Sequence, residues 1–116
     1  MRFKLIIAFV DEKKTDLVMD TARQSGAKGA TVITQARGEG IKQPKTFFGL
    51  TLESQRDVLM FLVEEHLSRY ILEKIAKAAE FDTSPGTGIA FKIDVEDAIG
   101  VMHQVEELTQ ELGDEI

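Results

Sequence analysis

The stretch "FDTSPGTGIAF", residues 81 to 91, holds the residue types best suited to chemistry. Gly86 and Gly88 let backbone N–H groups approach anionic oxygens closely, and a concave run of such donors makes an anion-binding nest. Thr83, Ser84 and Thr87 can add hydroxyl donors. The plainer reading is that Pro85 and Gly86 end a helix and turn the chain into a strand, and the stretch taken alone favours it. The two histidines, His66 and His103, stand at no spacing from other ligand types that recommends a metal site, so packing suits them better. Asp94, Glu96 and Asp97 form a carboxylate cluster that a solvated strand end explains. There is no cysteine, and no Ser-His-Asp, Walker-type or metalloprotease pattern, so the chain is expected not to be an enzyme.

The elements that must position the glycine turn follow from hydrophobic spacing. "FKLIIAFV" (3 to 10) predicts a strand apolar on both faces. A helix is expected from about Lys13 to Ser25, capped by Asp11, stopped by Gly26, with Leu17, Val18 and Ala22 facing inward. "GATVITQA" (29 to 36) predicts a second strand and "RDVLMFLVEE" (56 to 65) a third. Leu67, Ile71, Ile75 and Ala78 mark a second helix. In a fourth strand Ile89, Phe91, Ile93 and Val95 alternate with Ala90, Lys92, Asp94 and Glu96, an apolar face against a wet one. Val101, Val105, Leu108 and Leu112 give a C-terminal amphipathic helix over residues 101 to 113. Residues 38 to 55, with Gly38, Gly40, Pro44 and Gly49, show no sustained periodicity and predict a long functional loop.

This order, β-α-β-β-α-β plus a last helix, predicts an α+β, ferredoxin-like split βαβ sandwich in one domain spanning residues 1 to 116. Two helices cover only one face of such a sheet, yet strands one and three are apolar on both, so oligomerisation is expected. A net charge of −6 argues against a nucleic-acid partner. Within residues 37 to 56, four basic residues (Arg37, Lys42, Lys45, Arg56) outnumber two acidic ones, so this segment could meet an anion. The longest apolar runs fall far short of the roughly 20 residues that cross a bilayer, and no secretory leader is evident, which predicts a soluble, cytoplasmic protein.

Particular residues on this frame resemble the P-II signal-transduction family and its P-II-like relatives. "KTDLV" (14 to 18), "GAKGATV" (26 to 32), "RGEG" (37 to 40), "GTGIAF" (86 to 91) and "VEDAIGV" (95 to 101) match its segments in order and spacing, over about residues 1 to 101. The resemblance implies a homotrimer with sheet faces turned inward. It also implies an adenine nucleotide (AMP, ADP or ATP) or related small anion bound between subunits, and a T-loop, here residues 38 to 55, that reports the bound state to a membrane transporter or enzyme. The nucleotide-binding positions it implies are Arg37, Gly38 and Gly40 at the T-loop base and Gly86, Thr87 and Gly88 in a B-loop over residues 82 to 88.

The chain departs from the family pattern in several places. Family loops typically read Gly-Asp-Gly-Lys, whereas Thr87 replaces the acid and Ile89 the lysine, and "GVMHQ" (100 to 104) lacks the family's following basic residues. These losses weaken the case for ATP and favour AMP or ADP, with Arg37, Lys42, Lys45, Arg56 or Lys92 as substitute cations. The T-loop region "KTFFGL" (45 to 50) has no tyrosine, so control by tyrosine modification is not expected; Phe47 and Phe48 are the candidate partner anchors. Joined to the long loop and the fold order, the glycine turn favours phosphate binding over a plain turn. The rival from another class is a metal-responsive trimer similar to CutA-type tolerance proteins, and a third is an acylphosphatase-like enzyme, against which the lack of an arginine-asparagine constellation argues.

Overall fold

Alternation along Phe3–Asp11 (β1) divides its side chains between two environments. Ile6, Ala8 and Val10 are fully buried, while Leu5, Ile7 and Phe9 between them are only partly covered. The computed structural model describes residues 2–36, 46–47, 50–51 and 56–101. Within them the main elements are β1, α1 (Thr15–Ser25), β2 (Thr31–Ala36), β5 (Arg56–Glu64), α2 (Glu65–Ala78) and β6 (Gly88–Asp94). A small hairpin of β3 (Thr46–Phe47) and β4 (Leu50–Thr51), paired Thr46 to Thr51 and Phe47 to Leu50, lies inside the segment expected to be loop throughout. The expected C-terminal helix falls outside the described residues.

The four long strands form one sheet in the order β2-β5-β1-β6, with every neighbouring pair antiparallel. This is the split βαβ arrangement. The helices pack on one face, where Val18 and Ala22 of α1 and Ile71 and Ile75 of α2 meet Ile6, Ala8, Val10, Leu59, Phe61 and Val63 in one fully buried cluster. Leu17, expected inward, is 42% exposed, because it lies about 100° around the helix from Val18 and off the stripe that Val18 and Ala22 define.

Both helix starts are held by acids. The Asp11 carboxylate accepts from the Lys13 N–H at 2.9 Å, but what it caps is a single 3-10 turn, Glu12–Lys14, from which α1 then continues. Glu64 caps α2 by accepting from the His66 N–H at 2.7 Å. Gly26 ends α1 at φ 121°, where its N–H reaches the Ala22 and Arg23 carbonyls.

Among the described residues no element covers the opposite face of the sheet, which is apolar. Across β5, β1 and β6 the register aligns Leu62–Leu5–Ile93, Met60–Ile7–Phe91 and Val58–Phe9–Ile89, three ranks of apolar side chains, with Ile33 of β2 beside Val58. Phe91 and Ile93 are 37% and 46% exposed, and the Phe9 and Phe91 rings lie 6.1 Å apart. The apolar face of β6 is therefore the one turned away from the helices. Its other face looks toward them: Ala90 packs on the core and Lys92 Nζ donates to the buried Ser68 hydroxyl at 3.2 Å.

One polar contact pins α1 to the sheet from within. The buried Thr15 hydroxyl donates to the buried Asp57 carboxylate at 2.6 Å. Thr15→Val keeps the volume and deletes the donor, leaving a buried carboxylate short of a partner. It is expected to cost about 1–3 kcal/mol, read as a lower urea midpoint with an unchanged slope.

Candidate functional site

The glycine turn and the ends of the long segment come together at one end of the sheet. Ala36, the last residue of β2, pairs with Arg56, the first of β5, after a register shift that follows Ile33. Arg56 pairs in turn with Asp11 at the end of β1, whose N–H donates to the Thr87 carbonyl at 3.1 Å. Both ends of residues 37 to 55 and the 82–88 turn thus stand side by side on β2, β5, β1 and β6. The bulge before Ala36 is a device that re-aims a strand as it leaves a sheet.

The turn is built from the end of α2. Glu80 adopts φ 59°, a left-handed value uncommon for a residue with a side chain. Its carbonyl takes the N–H groups of Thr83 at 3.3 Å and Ser84 at 2.9 Å. The Thr87 hydroxyl points back into the turn, 3.0 Å from both the Glu80 and the Ser84 carbonyls. That hydroxyl organises the loop and does not face outward as a donor. Gly86 sits at φ 80°, in the region that glycine enters without cost. Among the described residues no acceptor meets the N–H groups of Gly86 and Thr87.

Gly88 answers to packing. A Cβ there would lie 2.5 Å from Phe81 Cε1 and 2.7 Å from the Phe9 carbonyl oxygen. The strand leaves the turn so close to β1 and the Phe81 ring that only glycine fits. Of the other predicted positions, Arg37, Gly38, Gly40 and Phe48 lie outside the described residues, and Phe47 is described only as backbone paired with Leu50.

The substitute cations fare differently from one another. Lys42 and Lys45 are outside the described residues. Lys92, on the helix side of β6 and bonded to Ser68, is directed away from the turn. Arg56 is at this end but buried, with Nη1 3.7 Å from Asp11 Oδ2. Lys14, passed over in the sequence, lies 3.7 Å from Glu80 at the base of the turn. A lysine in the first turn of a helix gives no local sign of that contact.

At the opposite end of the sheet, Arg2, Lys4, Glu65, Asp94, Glu96 and Asp97 border a groove of 720 Å³. A hydrogen bond from Lys4, helped by its charge, holds the exposed Asp94 carboxyl below its ordinary value. His66 is exposed, with Nε2 3.9 Å from Glu64, and His103 is outside the described residues. Among the described residues no three His, Cys, Asp or Glu side chains cluster as a metal site, and no helix is long and apolar enough to cross a membrane.

Two outcomes follow from these contacts. Gly88→Ala drives a methyl into backbone that cannot yield cheaply and should cost about 1–3 kcal/mol, whereas Gly29→Ala, with nothing within 4 Å of its Cβ, should stay near wild type in the same thermal melt. Lys4→Met should raise the Asp94 pKa toward the ordinary aspartate value in a carboxyl NMR titration. Because the folded-state pKa is depressed, the pair contributes stability above the unfolded value and loses it as pH falls through the folded one.

The family described as Nitrogen regulatory protein P-II matches residues 3–105. Among solved structures, CPII from Thiomonas intermedia K12, bound to ADP, AMP and acetate, aligns with a TM-score of 0.67 and 18% identity over 86% of this chain and 92% of that one. The same protein bound to ADP, AMP and bicarbonate aligns at 0.63 and 18%, over 87% and 96%. A PII-like protein from Thermus thermophilus aligns at 0.60 and 23%, over 82% and 87%. No curated protein sequence matches the chain. At these identities the structural likeness is one of fold, and it agrees with the sheet order and helix placement described above. With the family match running from the first strand to beyond the last, the chain belongs to the P-II family of nitrogen regulatory signalling proteins.

Proposed function

We propose that the protein is a cytoplasmic regulatory homotrimer that binds an adenine nucleotide, AMP or ADP in preference to ATP, between subunits. Binding then alters what residues 38 to 55 offer to a target, a membrane transporter or an enzyme. The observation that carries this reading is the convergence on one sheet end of the 82–88 turn with both roots of the long segment, Ala36 and Arg56. A ligand seated on the Gly86 and Thr87 N–H groups is then within reach of the chain that leaves Ala36, so occupancy can bias the position of that segment.

Two further observations support it. CPII, which shares the fold, is bound to ADP and AMP. The bare apolar sheet face needs cover, and three copies closing their sheets on one another would supply it while setting the loop-bearing ends at subunit boundaries. In this reading the role is regulatory, with no catalytic step.

The preference for fewer phosphates comes from local charge. Ile89 stands where family loops carry lysine, and of the described cations at this end Arg56 and Lys14 each face a carboxylate, which leaves the exposed Lys13. Backbone donors with one lysine suffice for a mono- or diphosphate, while a third phosphate asks for more positive charge.

Isothermal calorimetry with AMP, ADP, ATP and cyclic AMP, on protein shown by light scattering to be trimeric, tests the reading. Saturable heat is expected for AMP and ADP, weaker for ATP. Gly86→Val, which strains the turn and crowds its N–H groups, should weaken ADP binding about tenfold or more, a change of about 1.4 kcal/mol. Absence of heat with every nucleotide, or a monomer in solution, would overturn it.

A further inference from the structure

The residues from Asp11 to Thr15 touch every part of the candidate site. Asp11 uses three polar groups: its N–H holds the Thr87 carbonyl at 3.1 Å, Oδ1 accepts from Lys13 N at 2.9 Å, and Oδ2 lies 3.7 Å from Arg56 Nη1. Lys14 reaches Glu80, whose carbonyl organises the turn, and Thr15 reaches Asp57, next to Arg56. The turn and the root of the long segment, remote in sequence, are therefore joined through one short segment of backbone and side chain.

We infer that Asp11 and Arg56 are positioning residues that hold the 82–88 turn and the root of residues 37 to 55 in a fixed relation, so that a shift in one is felt by the other. Neither needs to touch a ligand. Arg56, buried at the strand start, anchors the returning end of the long segment. Its charge fixes the Asp11 carboxylate, and the backbone of Asp11 fixes Thr87. With the guanidinium buried and the carboxylate partly so, the attraction is screened less by salt than that of a surface pair. The effector role of the link rests on the nucleotide-binding reading above; the physical link does not.

The test begins without nucleotide. Hydrogen exchange is followed in the full-length protein and in Asp11→Asn, Arg56→Met and the double variant. Asparagine keeps the cap acceptor and the backbone N–H but removes the charge; methionine keeps volume. Each single change is expected to speed exchange in the 82–88 segment roughly threefold, the double change no further, and Arg56→Lys much less, with α2 unchanged in all. Wild-type exchange in the turn of Arg56→Met and Asp11→Asn, or equal acceleration in α2, would overturn the link. ADP titration supplies the second arm: Asp11→Asn should bind several-fold more weakly than wild type, and equal affinity would overturn the positioning role. If the wild type binds no nucleotide, the functional reading falls while the exchange data still decide the link.

Discussion

A four-stranded sheet with apolar side chains on both faces and, among the described residues, helices on only one is the constraint on which the rest of the molecule depends. The cost of exposing apolar surface is about 25 cal/mol per Å², and the bare face presents three ranks that cross three strands, far beyond a scatter of single exposed residues. The sequence accepts this cost where it could avoid it. In β6 the bulky Ile89, Phe91 and Ile93 share one face, and the other turns Ala90 and even the charged Lys92 toward the helix layer. Such an allocation suits the association of sheets proposed above.

With that face given to the association proposed above, the two ends of the sheet stay accessible. They differ in kind. The end at Lys4 and Asp94 is bordered by side chains carrying opposite charges close to one another, which satisfy each other. The end at Asp11 and Thr87 is organised by backbone. There a carbonyl and two hydroxyl contacts stabilise a tight turn, and a glycine imposed by packing starts the strand. Turns of this construction keep their N–H groups at fixed positions because the side chains that could compete for them are already engaged. Thr87 illustrates it: the hydroxyl that looks in sequence like a ligand donor serves as internal bracing.

The strands and helices were legible because their apolar periods are long and unbroken. β1, β5, α2 and β6 follow the spacing of their branched and aromatic residues to within two residues. Less legible was anything that depends on which way a period faces. Leu17 matches the helical stripe by type and misses it by angle. The wet and dry halves of β6 were visible, but which half met the helices depended on register with β1, which is a property of pairing across distant segments. The two-residue hairpin at Thr46–Thr51 lacks a period to detect. Asp11 reads locally as a helix cap, and its contacts with Thr87 and Arg56 appear only when three strand ends are laid side by side. Gly88 carries a double meaning in sequence that only the distance to the Phe9 carbonyl separates.

The charge arrangement limits what this end of the sheet offers an anion. Arg56 is matched by Asp11 and Lys14 by Glu80, so the described part of this sheet end offers an anion backbone N–H groups and the exposed Lys13. Arg37, Lys42 and Lys45 belong to the long segment and lie outside the described residues. Ile89 stands where the family pattern carries lysine, so under the nucleotide-binding reading proposed above the glycine turn itself brings no cation to a phosphate. A ligand bound there would shift an equilibrium of the chain only by as much as its affinity differs between the two arrangements.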